Sequence, residues 1–275
     1  MMKLGIIGHH IAYSISPKLH TLIGRESGLP SLCYERFDIP PSDLGKTLTR
    51  LQQEGYTGVN ITIPYKKEVL AYTRQQDISV KECDAANTLF FSPSGIQAWN
   101  TDMTGLVRVL KTSGYTAFNR YVLFGYGGVA PAVVNALKAH KIHAIYIAGR
   151  SPEAVRTFCA RFSLLPYSEK ETYSGSTLWI NATPAGSVNH PDIPAEFQVI
   201  PKSGDCFLDL NYAPLPTHFQ HYFRECGIET ADGLGLLIEQ ALDSQVIWRN
   251  DPGITKKINR ESLRREIIKQ MGIST

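Results

Sequence analysis

The chain has 275 residues, of which 43% are hydrophobic and 19% charged, and its formal net charge is +3. This composition is typical of a globular protein with one large domain or two compact ones, and no basic run or stripe indicates nucleic-acid binding. The apolar run LGII near the N-terminus is too short for a signal peptide, and no other run could span a membrane. Five scattered cysteines without a CxxC pair predict free thiols in a reducing cytoplasm.

The chain opens with a strand, a serine-rich turn and a helix. Residues 3–8 predict a short buried strand, and residues 17–28 predict a helix that Ser16 caps and Pro17 begins. Between them, YSISPKLH places Ser14 and Ser16 one residue apart. Two short hydroxyls there are explained either by local turn and cap formation or by a site for an anionic or hydroxylated ligand.

Strand and helix patterns continue to alternate over the first hundred residues. A helix over 41–55 carries Leu44, Leu48 and Leu51 on one face, with Ser42 as its predicted cap and Gly55 as its stop. Strands are predicted over residues 33–39, 58–63, 87–91 and 97–100. This order predicts a mostly parallel sheet.

A second strand and helix series begins near residue 120. The stretch YVLFGYGGVAPAVVNALKAH reads as strand, glycine turn and helix, and apolar strands follow over 143–150, 177–183 and 206–212. Residues 233–272 have a helical pattern and could belong to either series. We therefore expect two α/β domains, with a boundary near residues 102–104.

The glycine turn FGYGGVA has the spacing GxGxxA and lies between a strand and a helix. That context favours dinucleotide binding over a plain connection: Gly125 makes the tight turn, Gly127 lets a pyrophosphate approach, and Ala130 lets the helix lie close to the strand. The helix N-terminus then offers free N–H groups and a positive dipole. At the end of the next strand stand Arg150 and Ser151 instead of an acid, which favours NADP over NAD, although a solvated arginine is an open alternative.

Two further strand ends carry polar residues. NITIPYKK (60–67) leads into a helix at Pro64, and AWNTDMTG (98–105) ends in Asn100, Thr101 and Asp102. Strand ends of this kind face the ligand crevice of an open α/β sheet, so Lys66 and Asp102 could meet there as an acid–base pair. Taken alone, a lysine after a strand is more often a surface residue, so Lys66 by itself does not indicate an acid–base role.

Over nearly its whole length the chain resembles the shikimate dehydrogenase family. Eight motifs occur in order: SxSP, NxTxPxK, AVNTL as AANTL, NTDxxG, GxGG, NATPxG, DxxYxPxxT, and GxxMLxxQ with Leu236 in place of the methionine. Each motif alone is moderately specific for the family, whereas eight motifs in the family's order are strong evidence of the resemblance. The four substrate-side motifs at the start of the chain begin at Ser14, Asn60, Ala85 and Asn100.

The resemblance implies an α/β protein with a mostly parallel substrate domain (1–103 with 240–275) and a Rossmann dinucleotide-binding domain (104–239). It implies reversible, NADPH-dependent reduction of 3-dehydroshikimate to shikimate, in the biosynthesis of chorismate and aromatic amino acids. Lys66 and Asp102 would be the catalytic pair, and no metal is implied. The implied substrate contacts are Ser14, Ser16, Thr62, Lys66, Asn87, Asp102, Tyr212 and Gln240.

For the cofactor, the resemblance implies NADP, with NAD the less favoured choice. The implied contacts are Gly125, Tyr126, Gly127, Gly128, Val129, Ala130, Gly149, Arg150, Ser151, Ala182, Thr183, Pro184, Leu210 and Gly233. The chain departs from the family mainly on this side. Gly149 stands where the family has asparagine, and Pro131 where it has a basic residue.

Two other functions remain open at this stage: a quinate or aminoshikimate dehydrogenase that uses NAD, and a non-catalytic shikimate-binding protein. The simultaneous presence of Lys66 and Asp102 argues against the second, because a sensor needs no acid–base pair. A monomer or homodimer is expected.

Overall fold

A computed structural model describes residues 1–168 and 173–272. It divides the chain into two compact units: residues 1–105 together with 237–275, and residues 106–236. None of the described helices has the length and apolar character needed to span a bilayer.

The first unit begins with alternating strands and helices. Its elements in chain order are β1 (Met2–Gly8), α1 (Ser16–Glu26), β2 (Leu32–Asp38), α2 (Leu44–Gln53), β3 (Gly58–Ile61), β4 (Gln75–Gln76), α3 (Ile78–Cys83), β5 (Thr88–Ser92), β6 (Gly95–Trp99) and α4 (Thr101–Thr112). Short 3₁₀ helices span Pro41–Asp43 and Glu68–Tyr72.

The sheet of the first unit has the strand order β2-β1-β3-β5-β6-β4. β1 pairs in parallel with β2 and β3, whereas β5 runs antiparallel to β3 and to β6. The carboxyl ends of β1, β3 and β6 and the amino end of β5 therefore lie at one edge of the sheet. Behind that edge, apolar side chains of α2 such as Leu44 and Leu48 are buried with Val59 and Leu89 of the sheet.

Three local predictions are wrong. Ile15, which has no polar side chain, is the N-cap of α1, and Ser16 occupies the first helical position instead. The 3₁₀ turn before α2 makes Asp43, not Ser42, its N-cap. Pro64 leads into a turn and then a 3₁₀ helix, not an α-helix. Gly55, by contrast, ends α2 with a φ of +75°, as predicted.

The second unit continues with β7 (Arg120–Phe124), α5 (Ala130–Ala139), β8 (Ile145–Ala148), α6 (Pro152–Phe162), β9 (Leu165–Pro166), β10 (Thr177–Asn181), β11 (Cys206–Asp209), α7 (His218–Glu225) and β12 (Glu229–Ala231). A 3₁₀ helix spans Ala195–Phe197. The remaining helices of the chain are α8 (Leu234–Arg249), α9 (Ile254–Lys257) and α10 (Arg260–Gln270), as the helical pattern over 233–272 predicted.

The sheet of the second unit has the order β12-β11-β10-β7-β8-β9, and the pairings among these described strands are parallel. From β7 the chain proceeds to β8 on one side and to β10 on the other. This reversal is the switch point at which doubly wound sheets bind ligands. The α/β fold with a Rossmann-type sheet is therefore confirmed.

Asp209 ties together the loops at the carboxyl edge of this sheet. Its buried carboxylate accepts hydrogen bonds from Asn181 Nδ2 (2.9 Å), from the backbone and side chain of Asn211 (both 3.0 Å), and from Thr217 Oγ1 (2.6 Å). Thr217 also forms a capping box with Gln220 at the start of α7. Burial raises the pKa of Asp209 to about 6, although these hydrogen bonds pull it down.

Helix α8 returns to the first unit and packs on its sheet through Trp248. The indole Nε1 donates to the Leu89 carbonyl at 2.8 Å. A Cβ at Gly58 of β3 would collide with that carbonyl and with the indole nitrogen. The sheet can approach the indole closely only because position 58 has no side chain.

Gly58→Ala is therefore expected to lower the free energy of unfolding by about 1–3 kcal/mol, the usual cost of overpacking a core. Gly235→Ala is the matched control, because a Cβ there would meet Val109 at an ordinary 3.8 Å and alanine suits a helix better. Urea unfolding of both variants measures the effect. A Gly58→Ala protein as stable as the control would contradict the packing described for Trp248.

Asp209→Asn tests the cost of the buried carboxylate. Because the folded-state pKa is raised, the folded state binds the proton more tightly, and the stability that this proton contributes is lost as the pH rises from about 4 to about 6. A shift of about two units corresponds to about 3 kcal/mol. The variant should thus gain stability relative to the parent by about that amount between pH 4 and pH 7 in urea unfolding. A difference that does not change with pH would contradict the pKa shift.

Candidate active site

Lys66 and Asp102 meet at the carboxyl edge of the first unit's sheet. Lys66 lies in the turn after β3, and Asp102 lies in the first turn of α4, directly after β6. The Lys66 Nζ lies 2.5 Å from the Asp102 Oδ2, and the two side chains are 16% and 11% exposed. The acid–base pair predicted from two separate motifs is therefore a direct, largely buried ion pair.

Asn87 connects this pair to the sheet. Its Nδ2 donates to the other carboxylate oxygen of Asp102 at 2.9 Å, and its Oδ1 accepts from the backbone nitrogen of Thr101 at 2.7 Å. The same Nδ2 lies 3.5 Å from Gln240 Oε1, which comes from α8. Lys66, Asn87, Asp102 and Gln240 thus form one hydrogen-bonded group.

Ser14 and Ser16 form a second polar pair in the first unit. Their hydroxyl oxygens are 3.2 Å apart, both side chains are buried, and Ser14 Oγ also accepts from the backbone nitrogen of Ser16 at 3.3 Å. The N–H of Ser16 is thus taken and Pro17 has none, so among the first three positions of α1 only Lys18 has an N–H left for an anion. The hydroxyls therefore have both a local role and the chemistry of an anion site.

Thr62 lies next to the loop that leads to these serines. A Cβ at Gly8, the last residue of β1, would approach Thr62 Cγ2 at 2.5 Å and Ile11 Cγ2 at 2.6 Å. The glycine thus allows Thr62 and Ile11 to come together where β1 and β3 end side by side. This contact places the third predicted hydroxyl of the substrate side beside the loop over residues 9–14.

Asn60 was not assigned a site role from the sequence, yet it is the buried centre of the network. Its Oδ1 accepts from Tyr34 at 2.7 Å, and its Nδ2 lies 3.0 Å from each of three acceptors: Asn87 O, Thr88 Oγ1 and Ser244 Oγ. The signal available in the sequence was an amide within the apolar run GVNITI. A polar side chain in a buried strand needs partners, and here those partners are the residues that hold Asn87.

The glycine turn of the second unit has the conformation that the motif predicts. Gly125 has a φ of +97°, and a Cβ there would collide with Thr183. Cβ atoms at Gly127 and Gly128 would meet nothing within 4 Å, so the space in front of the turn is open. Ala130 is fully buried at the first position of α5, whose N-cap, Val129, provides no side-chain cap. The turn thus offers free N–H groups to a phosphate.

Tyr126 explains the glycine at position 149. A Cβ at Gly149 would lie 2.5 Å from Cε1 of the Tyr126 ring, so the family's asparagine would not fit beside this tyrosine. Arg150 is exposed at the same strand end, and Ser151 Oγ caps α6 by accepting from the nitrogen of Ala154 at 3.3 Å. A cavity of about 440 Å³ adjoins them, lined by Tyr126, Ser151, Glu153, Ala154, Thr157, Phe158 and Arg161.

The other residues predicted for the cofactor side follow β10, β11 and β12. Ala182, Thr183 and Pro184 come directly after β10, and Thr183 is held by Asn181, whose Oδ1 accepts from its hydroxyl at 2.7 Å. Gly233 has no room for a Cβ, because the Leu210 carbonyl occupies that position. Sequence reasoning missed Asn181 and Asp209, the buried polar residues that organise these loops.

The predicted substrate residues are thus divided between the units. Tyr212 belongs to the second unit, and the other predicted contacts belong to the first. Among the described residues, no group of three or more His, Cys, Asp or Glu side chains could hold a metal ion. The chemistry that the first unit offers is an ammonium paired with a carboxylate, which can move a proton to or from a bound hydroxyl and stabilise negative charge on oxygen.

Comparisons with known proteins agree with this geometry. Residues 6–89 match the family model for the shikimate dehydrogenase substrate binding domain. The chain is 32% identical over 250 residues to the shikimate dehydrogenase (NADP(+)) of Rhodopseudomonas palustris HaA2, covering 88% of each chain. It is also 32% identical over 263 residues to that of Synechocystis PCC 6803, covering 89% of each.

Among solved structures, shikimate 5-dehydrogenase from Thermus thermophilus in complex with NADP(H) and shikimate has a TM-score of 0.83. That protein is 26% identical to this chain, and the match covers 96% of this chain and 99% of the other. The fold, the order of the motifs and the identities over most of both lengths lead to one conclusion: the chain belongs to the shikimate dehydrogenase family.

Proposed function

We propose that this protein is an NADP-dependent shikimate dehydrogenase, which interconverts 3-dehydroshikimate and shikimate in the biosynthesis of chorismate and aromatic amino acids. The observation that carries the proposal is the buried Lys66–Asp102 pair, held by Asn87 at the edge of the sheet. The relatives of this chain include proteins named for this activity, and the structure of one relative was solved with both NADP(H) and shikimate.

The substrate side has a charged end and a hydroxylated end. We assign the carboxylate to Ser14 and Ser16, whose paired, buried hydroxyls lie at the start of α1 and can donate to an anion. Thr62 lies beside that loop, and Asn87 and Gln240 lie next to the Lys66–Asp102 pair, where they are assigned to the ring hydroxyls. Tyr212 remains a predicted contact from the second unit.

The second unit has room and donors for NADP. The open space at Gly127 and Gly128 suits the pyrophosphate, and a shallow, open groove lies beside Tyr126 and Ser151. Arg150 and Ser151 would hold the ribose 2′-phosphate, and their strand end carries no acid to repel it. When bound, the nicotinamide supplies or accepts the hydride.

The first unit then handles the proton. In the direction of reduction, negative charge develops on the carbonyl oxygen at C3, and the Lys66 ammonium can stabilise that charge and donate a proton to the oxygen. Asp102 holds Lys66 through one carboxylate oxygen and is held by Asn87 through the other.

The proposal also covers the compartment and the assembly state. The five cysteines are free thiols, which agrees with the predicted cytoplasmic setting because exported proteins commonly oxidise theirs. A monomer or homodimer stays a prediction.

One spectrophotometric panel tests the proposal: shikimate and quinate, each with NADP and with NAD, followed at the absorbance of the reduced nicotinamide. We expect turnover of shikimate with NADP to exceed the other three combinations. Greater activity with quinate and NAD would contradict the proposal and would favour an NAD-dependent quinate dehydrogenase instead. Shikimate binding without turnover would favour the non-catalytic reading.

Lys66→Ala is expected to lower kcat by about 10²- to 10⁴-fold with a modest change in KM, because a proton-transfer group acts chiefly in the transition state. Lys67→Ala is the matched control, since Lys67 is the next residue, is 76% exposed and pairs with Asp84 instead. Steady-state kinetics of both variants measure the difference. Equal and small effects would mean that Lys66 is a structural lysine.

Arg150→Ala is expected to weaken the binding of NADP by about 10- to 150-fold, because a charged hydrogen bond to the 2′-phosphate is lost. The affinity for NAD should remain nearly unchanged. Arg156→Ala, an exposed arginine on α6 outside the lining of the cavity, controls for the change in net charge. Fluorescence titration of both cofactors gives the dissociation constants. Equal losses for NADP and NAD would mean that Arg150 shapes the strand end without reading the phosphate.

A further inference from the structure

The loop over residues 9–14, here called the serine loop, is held at both ends by one strand. Near its start, Asp38 accepts hydrogen bonds from the backbone nitrogens of His10 (2.8 Å) and Ile11 (3.0 Å). At its end, the Arg36 guanidinium donates through Nη2 to the carbonyl oxygen of Ser14 at 2.7 Å. Arg36 and Asp38 are two residues apart on β2, so they extend from the same face of the strand.

β2 can make this clamp because of its register. It lies at the edge of the sheet and pairs in parallel with β1, so that Gly8 stands opposite Asp38 and Ile6 opposite Arg36. The serine loop leaves β1 at Gly8, directly beside the end of β2. The two charged side chains therefore reach both ends of a loop that starts on the neighbouring strand.

The clamp places a positive charge close to the two serine hydroxyls. The carbonyl oxygen and the hydroxyl of one serine are at most about 4 Å apart, so the guanidinium lies within about 7 Å of Ser14 Oγ. Lys66, by contrast, is matched by Asp102 at 2.5 Å. The Asp38 carboxylate is engaged with two backbone N–H groups at the far end of the loop.

We propose that Arg36 is a positioning residue that fixes Ser14 and supplies the positive potential by which the serine loop selects a carboxylate over a neutral group. This inference rests on the proposed function, which assigns the substrate carboxylate to Ser14 and Ser16. The two serine hydroxyls are neutral and can donate to a carboxylate or, more weakly, to the carbonyl oxygen of an ester. Arg36 adds the charge that discriminates between an acid and its uncharged analogue.

Three substitutions separate the charge from the hydrogen bond. Arg36→Gln keeps a donor for the Ser14 carbonyl and removes the charge, Arg36→Lys keeps the charge, and Arg36→Met removes both. Arg50→Gln is the matched control, because Arg50 is also exposed but lies over the ring of Phe37, on the opposite face of β2. Shikimate and its neutral methyl ester are compared as substrates, with NADP saturating. If the ester turns over too slowly, its inhibition constant against shikimate replaces KM.

For shikimate, Arg36→Gln and Arg36→Met should raise KM by about 3- to 10-fold with kcat nearly unchanged, as expected for a unit charge acting across several ångströms of partly solvated protein. Neither variant should change the KM or inhibition constant of the ester by more than about 2-fold. The rise in KM for shikimate should be smaller in about 0.5 M salt, because exposed charges are screened. Arg36→Lys should recover most of the loss, and Arg50→Gln should match the parent protein.

Equal losses for the acid and the ester would overturn the charge role and leave Arg36 as a holder of the loop only. Unchanged KM values in Arg36→Met, with melting temperatures equal to that of the parent, would overturn the whole inference. Failure of the proposed function is a different result, because the parent protein itself would then not oxidise shikimate.

Discussion

The hydrogen bond from Asn87 to Asp102 is the interaction on which the candidate site depends. An exposed lysine and aspartate gain little from each other in water, because side-chain freedom and solvation oppose the pair. Here one carboxylate oxygen is fixed by the side-chain amide of Asn87, the residue directly before β5, so the other can hold Lys66 in a single place. The first turn of α4 holds that amide through its oxygen, and Asn60 holds the backbone carbonyl of Asn87. The chemistry is thus preorganised before a substrate arrives.

Both units use the same physical device, a buried polar side chain at the end of an apolar strand. Asn60 occupies this place in β3, and Asp209 occupies it in β11. Neither is suited to contact a ligand directly, since each spends its hydrogen bonds on the residues that hold the surrounding loops. The cost of burying such groups is met by complete pairing, which in turn restricts the loops to one arrangement. The serine loop is held in a similar way, but by charged side chains of β2 that lie nearer the surface.

Much of the fold and of the site could be predicted from the sequence, because strand periodicity and motif order are local signals. The meeting of Lys66 and Asp102 followed from the rule that parallel strands present their carboxyl ends at one edge. Predictions that required the surroundings failed or were not made. Ser16 was predicted to cap α1, but the helix begins one residue earlier than predicted. The hydroxyl of Ser16 faces Ser14 instead. The contact between Tyr126 and Gly149 joins two distant strand ends, so no pattern along the chain could reveal it.

The return of α8 to the first unit has a consequence for how the chain is made. Residues 106–236 are contiguous, so the second unit can fold as soon as they have left the ribosome, whereas the first unit lacks Ser244 and Trp248 until residues 237–275 follow. Until then, the Leu89 carbonyl and the amide of Asn60 lack partners that the finished structure provides. Synthesis therefore completes the acid–base site last, after the unit that is proposed to bind the cofactor has its own core.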